Sequence, residues 1–299
     1  MKSPNESSSS LFDRFLHLIE STSASDRLIL RIAFFAVVTT GIWFTFSLND
    51  QHLENTPTYG GSFTEGILGT PRYINPVLAI TRADQDVVAL VYSGLLKINP
   101  EGELVNDIAE SINISEDGLT YNIVLRDDVE FHDGEKLTAE DVSYTFRLIQ
   151  DPDLKSPLRG NWTDVTIEDI NEYELNVVLK EAYAPFIENF TVGIMPAHSW
   201  SALPIEQLPF SQLNTEPIGS GPFSVTSAKR DTSGLINHYT LSAFRNHSTD
   251  PKIANIELSF FQNEDDLIKA LQDRTIDATA YIPPSRISEM TDDKYELIE

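Results

Sequence analysis

The chain of 299 residues has no cysteine. That excludes disulfides, thiolate metal sites, cysteine nucleophiles and any lipid anchor attached through an N-terminal cysteine. Basic residues are scarce: 21 Lys+Arg stand against 46 Asp+Glu, a formal net charge of −25. No nucleic-acid partner is expected, because phosphate binding needs a basic footprint. Catalytic signatures are also missing. Gly219-Ser220-Gly221-Pro222 lacks the Lys-Ser/Thr ending of a phosphate loop and reads as a turn before a strand. Ser93 and Ser220 have glycine neighbours without the full G-x-S-x-G elbow. His132-Asp133 has no third ligand nearby, and turn geometry accounts for Asp133-Gly134. No catalytic residue, metal site or cofactor is therefore expected. What the chain does have is 41% hydrophobic and 10% aromatic residues, enough for a packed core.

Residues 1–27 form a polar, Ser-rich tail with a short amphipathic run from Leu11 to Ile19. From Ile32 to Leu48 no residue is charged, and Leu28–Leu30 extend the apolar stretch if Arg31 snorkels. Residues 28–48 as a helix would span about 30 Å, the thickness of a bilayer core, and predict a retained transmembrane anchor. Lys2, Arg14, Arg27 and Arg31 precede or open this stretch, whereas the next basic residue is Arg72. The positive-inside rule then places the N-terminus in the cytoplasm and the rest outside, in the periplasm or at the cell surface. A cleaved signal peptide is the alternative, but no small-x-small site follows Leu48.

Residues 49–59 read as a linker, and beyond Gly60-Gly61 the pattern is α/β. Val91–Ile98 is strand-like and Asn99-Pro100-Glu101-Gly102 has turn chemistry. Leu119–Leu125 alternates with Tyr121, Ile123 and Leu125 on one face, after a tight turn at Glu116-Asp117-Gly118. Phe131–Glu135 is a second turn. The spacing predicts a helix from Thr138, with Asp141 completing a capping box and Val142, Phe146 and Ile149 on one apolar face, stopped by Asp151-Pro152. A hairpin is expected over 164–179, mixed strands and helices through 256–261 and a helix over 264–271. His198 reads as a helix-start residue. Three Asn-x-Ser/Thr sequons, at Asn113, Asn161 and Asn189, are read as chance matches.

The order of several short motifs resembles the extracytoplasmic solute-binding proteins of family 5, which serve peptide and nickel ABC importers. The densest match runs from Ala109-Glu110-Ser111 through Asp117-Gly118-Leu119-Thr120-Tyr121 and Leu125-Arg126-Asp127-Asp128-Val129 to Phe131-His132-Asp133-Gly134 and Leu137–Val142. Gly60–Phe63, Ile74-Asn75-Pro76, Tyr92–Leu96, Ile194–His198, Gly219–Phe223, Phe244-Arg245-Asn246 and Ile276-Asp277-Ala278 follow in the family's order. Ile112 and Asp128 depart from it, since the family usually has an aromatic and a glycine there.

The resemblance implies a periplasmic-binding-protein-like type II α/β fold: mostly the first lobe (60–262) with the start of an incomplete second lobe (263–299), truncated relative to the family. Two such lobes close over a solute and are recognised by a permease. The implied function is a membrane-anchored substrate-binding component of an ABC importer that captures peptides, bound through their backbone as in strand addition. The alternatives are a non-peptide solute such as nickel or an oligosaccharide, or a remnant with a structural or interaction role and no ligand. An extracytoplasmic hydrolase has no nucleophile and base to support it. By resemblance, the segment between Asn75-Pro76 and Tyr92 faces ligand, which makes Ile80, Thr81 and Arg82 candidate ligand contacts, with Arg82 suited to a peptide carboxylate. Beside Asp84 and Asp86, Arg82 equally fits a solvated loop arginine. Tyr92 either floors the cleft or packs in the core.

Overall fold

Two hydrogen-bonded segments emerge in the computed structural model, which describes residues 23–52 and 58–290. They belong to separate compact units, 1–57 and 58–299. The first unit is described by one helix, α1 (Ala24–His52). Ser23 and Asp26 exchange hydrogen bonds at its start. Inside, the Thr39 and Thr40 hydroxyls donate to the Phe35 and Ala36 carbonyls at 2.8 and 2.7 Å, so neither needs a partner outside the helix. Among the described residues no helix is long and apolar enough to cross a membrane, so the expected anchor over 28–48 finds no support there. The tail over 1–22, part of the linker (53–57) and residues 291–299 lie outside the described residues.

The second unit is mixed α/β, as expected. Its elements are β1 (Gly60–Leu68), α2 (Arg82–Val91), β2 (Leu96–Ile98), β3 (Leu104–Asn106), β4 (Ala109–Ile114), β5 (Thr120–Leu125) and α3 (Ala139–Gln150). They continue with β6 (Thr166–Asn171), β7 (Glu174–Val178), α4 (Ala197–Trp200), β8 (Phe223–Arg230), β9 (Ile236–Ala243), β10 (Ile253–Phe261), α5 (Glu264–Gln272) and β11 (Ala278–Thr279). A five-stranded sheet has the order β11-β1-β10-β9-β8; β1 runs parallel to both of its neighbours, and the other pairs are antiparallel. A four-stranded antiparallel sheet has the order β4-β5-β7-β6, and β2 and β3 form a small hairpin.

Local chemistry explains most of these elements. Gly102 and Gly118 adopt positive φ in the β2–β3 and β4–β5 turns, where a side chain would be strained. On β5 the alternation works as expected: Tyr121, Ile123 and Leu125 are buried. α3 begins at Thr138, whose N–H donates to Asp141 Oδ2 at 2.9 Å. The other oxygen of Asp141 accepts from the Ala197 N–H at 2.8 Å, so one carboxylate caps α3 and fixes the start of α4. Val142, Phe146 and Ile149 are fully buried, and the Phe146 ring lies 4.2 Å from that of Trp162.

One expectation needs correction. Val91 ends α2 rather than opening a strand, and of the strand-like run 96–98 forms β2 while Gly94 makes an isolated bridge to Gly193. Thr81 and Asp84 cap each other, and Ala83, Val87 and Val91 form a buried helical face, so tertiary packing overrides the β-branched composition. Within 263–299, the stretch expected to open a second lobe, α5 packs against β1 and β11 pairs with β1. Leu267, Ile268, Leu271 and Ile276 make a small satellite core there.

Candidate functional site

At the carboxyl ends of β1 and β11 lies a groove of about 230 Å³, lined by Gly66, Ile67, Leu68, Arg82, Asp86, Thr279, Ala280 and Tyr281. Ligands of open α/β sheets gather outside the carboxyl ends of parallel strands, where backbone groups and helix starts converge. Two features build this position. Register pairs Glu65 with Ala278 and Gly66 with Thr279, bringing residues far apart in sequence side by side. The Asp84 carboxylate accepts from the Arg72 and Tyr73 N–H groups at 2.6 and 2.9 Å and from the Thr81 hydroxyl at 2.7 Å, which holds the start of α2 against the loop after β1.

The walls are mostly apolar and the rim is charged. Arg82 is 64% exposed, and its Nε lies 3.8 Å from Asp86 Oδ2, a loose contact one helical turn apart. Burial raises the Asp86 carboxyl above its ordinary range, opposed by Arg82. Burial also raises Glu65; the negative charge of Asp86 adds to the rise, and a hydrogen bond from the Ala280 backbone opposes it.

The sequence candidates separate. Ile80 is 69% exposed on the loop before α2, Thr81 is the N-cap, and Arg82 lines the groove. Tyr92 sits at the opposite end of α2 and does not line it. It is buried, its hydroxyl donates to the Ile74 carbonyl at 3.4 Å, and burial pushes its phenol well above the ordinary value. Sequence reasoning did not single out Glu65, Gly66 or Tyr281; the available signal was an acidic residue within the otherwise uncharged run from Gly60 to Leu68.

Two other constellations look chemical and are structural. Ser93 Oγ lies 3.0 Å from His247 Nε2. The Thr249 N–H donates to His247 Nδ1 at 3.1 Å, which assigns the proton to Nε2 and makes the histidine a donor to Ser93, not its base. The adjoining cavity is about 20 Å³, room for a single water. His132 accepts from the Gly219 N–H at Nδ1 and donates from Nε2 to the Gly221 carbonyl at 3.0 Å, so both ring nitrogens hold the glycine loop. Burial pushes its pKa down. Asp133 pairs with His198 at 2.8 Å. Among the described residues no group of three His, Asp or Glu side chains is placed to hold a metal ion.

Residues 103–298 match the family model of the bacterial extracellular solute-binding proteins, family 5 Middle. The chain belongs to this family. Among curated relatives, the oligopeptide-binding protein AppA of Bacillus subtilis is 32% identical over 179 residues, which cover 58% of this chain and 33% of that protein. The structure of AppA in complex with a nonapeptide superposes with a TM-score of 0.72 at 26% identity, over 78% of this chain and 46% of AppA. NikZ from Campylobacter jejuni, in complex with Ni(L-His), gives 0.69 at 27% identity, over 78% of this chain and 45% of NikZ. The fold is thus that of the periplasmic-binding-protein-like type II neighbours, over part of their length. The chain spans about a third of the curated relative and less than half of these solved structures.

Proposed function

We propose that this family 5 chain serves as the extracytoplasmic substrate-binding component of an ABC importer and that its solute is a peptide, delivered unaltered to a permease. The observation that carries the reading is the apolar groove beside β11, an edge strand in the described sheet. An edge offers backbone N–H and C=O groups to an extended chain, which suits a peptide better than a compact metal chelate. The relative and the neighbour named for oligopeptide and nonapeptide binding support the choice. In this reading Ile80, Thr81 and Arg82 are ligand contacts of the first lobe, and the groove gives one half of a site that closes by lobe movement.

Isothermal titration of the full chain with peptides of two to nine residues tests the proposal, with nickel–histidine and an oligosaccharide alongside. Saturable heat with peptides is expected. A flat response to every peptide overturns it.

A further inference from the structure

We infer that the groove favours peptides carrying a large aliphatic side chain such as leucine and is blind to the sign of a charged one, because the two ionised groups on its lining mask each other. The inference rests on the peptide reading above and adds the side-chain class taken by the same site.

Ile67 and Leu68 of β1, with Ala280 and Tyr281 just beyond β11, supply the apolar part of the lining. Tyr281 is 45% exposed, so a side chain laid against it takes apolar surface out of water. The groove's volume of about 230 Å³ is several times the roughly 30 Å³ share of one water, which gives room for one large side chain. A polar side chain of the same size would lose hydration there for little return. Thr279 Oγ1 already donates to the Tyr281 carbonyl at 3.4 Å, and Arg82 and Asp86 already face each other.

The lining carries one cation and one anion, Arg82 and Asp86, so its charges cancel. The two sit one turn apart on α2, with Arg82 Nε 3.8 Å from Asp86 Oδ2, near enough to attract without locking together. Arg82 accordingly opposes the rise that burial imposes on the Asp86 carboxyl. An incoming lysine would gain Asp86 and meet Arg82; an incoming glutamate would find the reverse. A peptide carboxylate on Arg82, the pairing the sequence suggested, would strip Asp86 of its counter-charge. With attraction and repulsion offset for either sign, apolar contact decides. The same geometry makes the blindness removable: neutralising one member of the pair uncovers the other.

The test titrates the full chain calorimetrically at pH 7 with four matched probes, Ala-Leu-Ala, Ala-Gln-Ala, Ala-Lys-Ala and Ala-Glu-Ala. The leucine probe is expected to bind about tenfold more tightly than the glutamine probe, as for partial burial of one aliphatic side chain. The lysine and glutamate probes should agree within about twofold. Tyr281→Ala should bring the Leu-to-Gln affinity ratio toward one, and Tyr281→Phe should keep it. Arg82→Gln should favour the lysine probe and Asp86→Asn the glutamate probe, each by about three- to fivefold, in proteins checked for wild-type circular dichroism. Equal affinity for the leucine and glutamine probes, or lysine and glutamate probes that differ by about fivefold or more in the unaltered protein, overturns the inference and leaves peptide binding standing. No heat with any probe overturns both.

Discussion

Replacing Gly219 with alanine should be among the most damaging one-carbon changes available to this protein. A Cβ built there would lie 2.0 Å from the Val91 carbonyl oxygen, 2.9 Å from its carbon and 3.1 Å from Tyr92 Cδ1. Ordinary non-bonded contacts are about 3.5 Å, so the loop has to retreat by about 1.5 Å from a backbone that cannot turn aside. Retreat breaks a defined set of bonds. Gly221 N–H donates to that same Val91 oxygen at 2.8 Å, His132 N–H donates to the Gly219 carbonyl at 2.8 Å, and both His132 ring nitrogens bond the loop. Losing about two of these at about 1 kcal/mol each, with about 1–3 kcal/mol of overpacking, gives a cost of about 3–5 kcal/mol. Gly66→Ala provides the control. Its Cβ would also be crowded, at 2.4 and 2.6 Å, but by the side-chain tips of Ile276 and Leu267, which can rotate. About 1–2 kcal/mol is expected there, with loosening of α5. Urea unfolding followed by the fluorescence of buried Trp162 and Trp200 measures both. A Gly219→Ala protein within 1 kcal/mol of wild type, or one more stable than Gly66→Ala, refutes the reasoning.

Acid should weaken the fold through two histidines. His132 and His247 are both pushed below 6.5 by burial, so the unfolded chain takes up their protons first; stability is full above about pH 6.5 and is lost as pH falls through the folded values. The urea midpoint should drop between pH 7 and 5, and a His132→Gln, His247→Gln double variant should flatten that slope; an unchanged slope argues against it. Thr81→Ala removes the cap of α2 and should cost about 1 kcal/mol in chemical denaturation, with the groove's affinity for peptide falling as Arg82 loses its fixed start. Phe146→Ala deletes a fully buried ring packed against Trp162 and should cost about 3–5 kcal/mol, read as a fall in Tm; a loss under 1 kcal/mol would mean that the aromatic cluster is not a rigid core.

Features whose causes are local were legible in the sequence. The turn at Asp117-Gly118, the alternation on β5 and the capped helix at Thr138 depend on neighbours within a few residues, and the structure has all three. α2 was not legible, because Val87-Val88 and Leu90-Val91 carry strand-like composition, and only packing of Val87 and Val91 into the core selects the helix. The parallel pairing of β1 with β10 and β11 leaves no local trace. For the groove, Arg82 was found through resemblance, whereas Glu65 meets the surroundings of Asp86 and Ala280 only after β1 and β11 pair. The capping carboxylate of Asp141 was visible, but its second bond to Ala197, 56 residues on, was not.

The placement of β1 also sets an order of events at the ribosome. β4, β5, β6 and β7 pair among themselves within residues 109–178 and can close as soon as that stretch has emerged. β1 has its partners in 253–261 and 278–279, so it must wait until those residues have been synthesised. Such long-range parallel pairing is intrinsically slow and leaves an unpaired strand open to wrong partners in the interval. During that wait Gly60–Leu68 is the stretch a nascent-chain chaperone would most profitably cover.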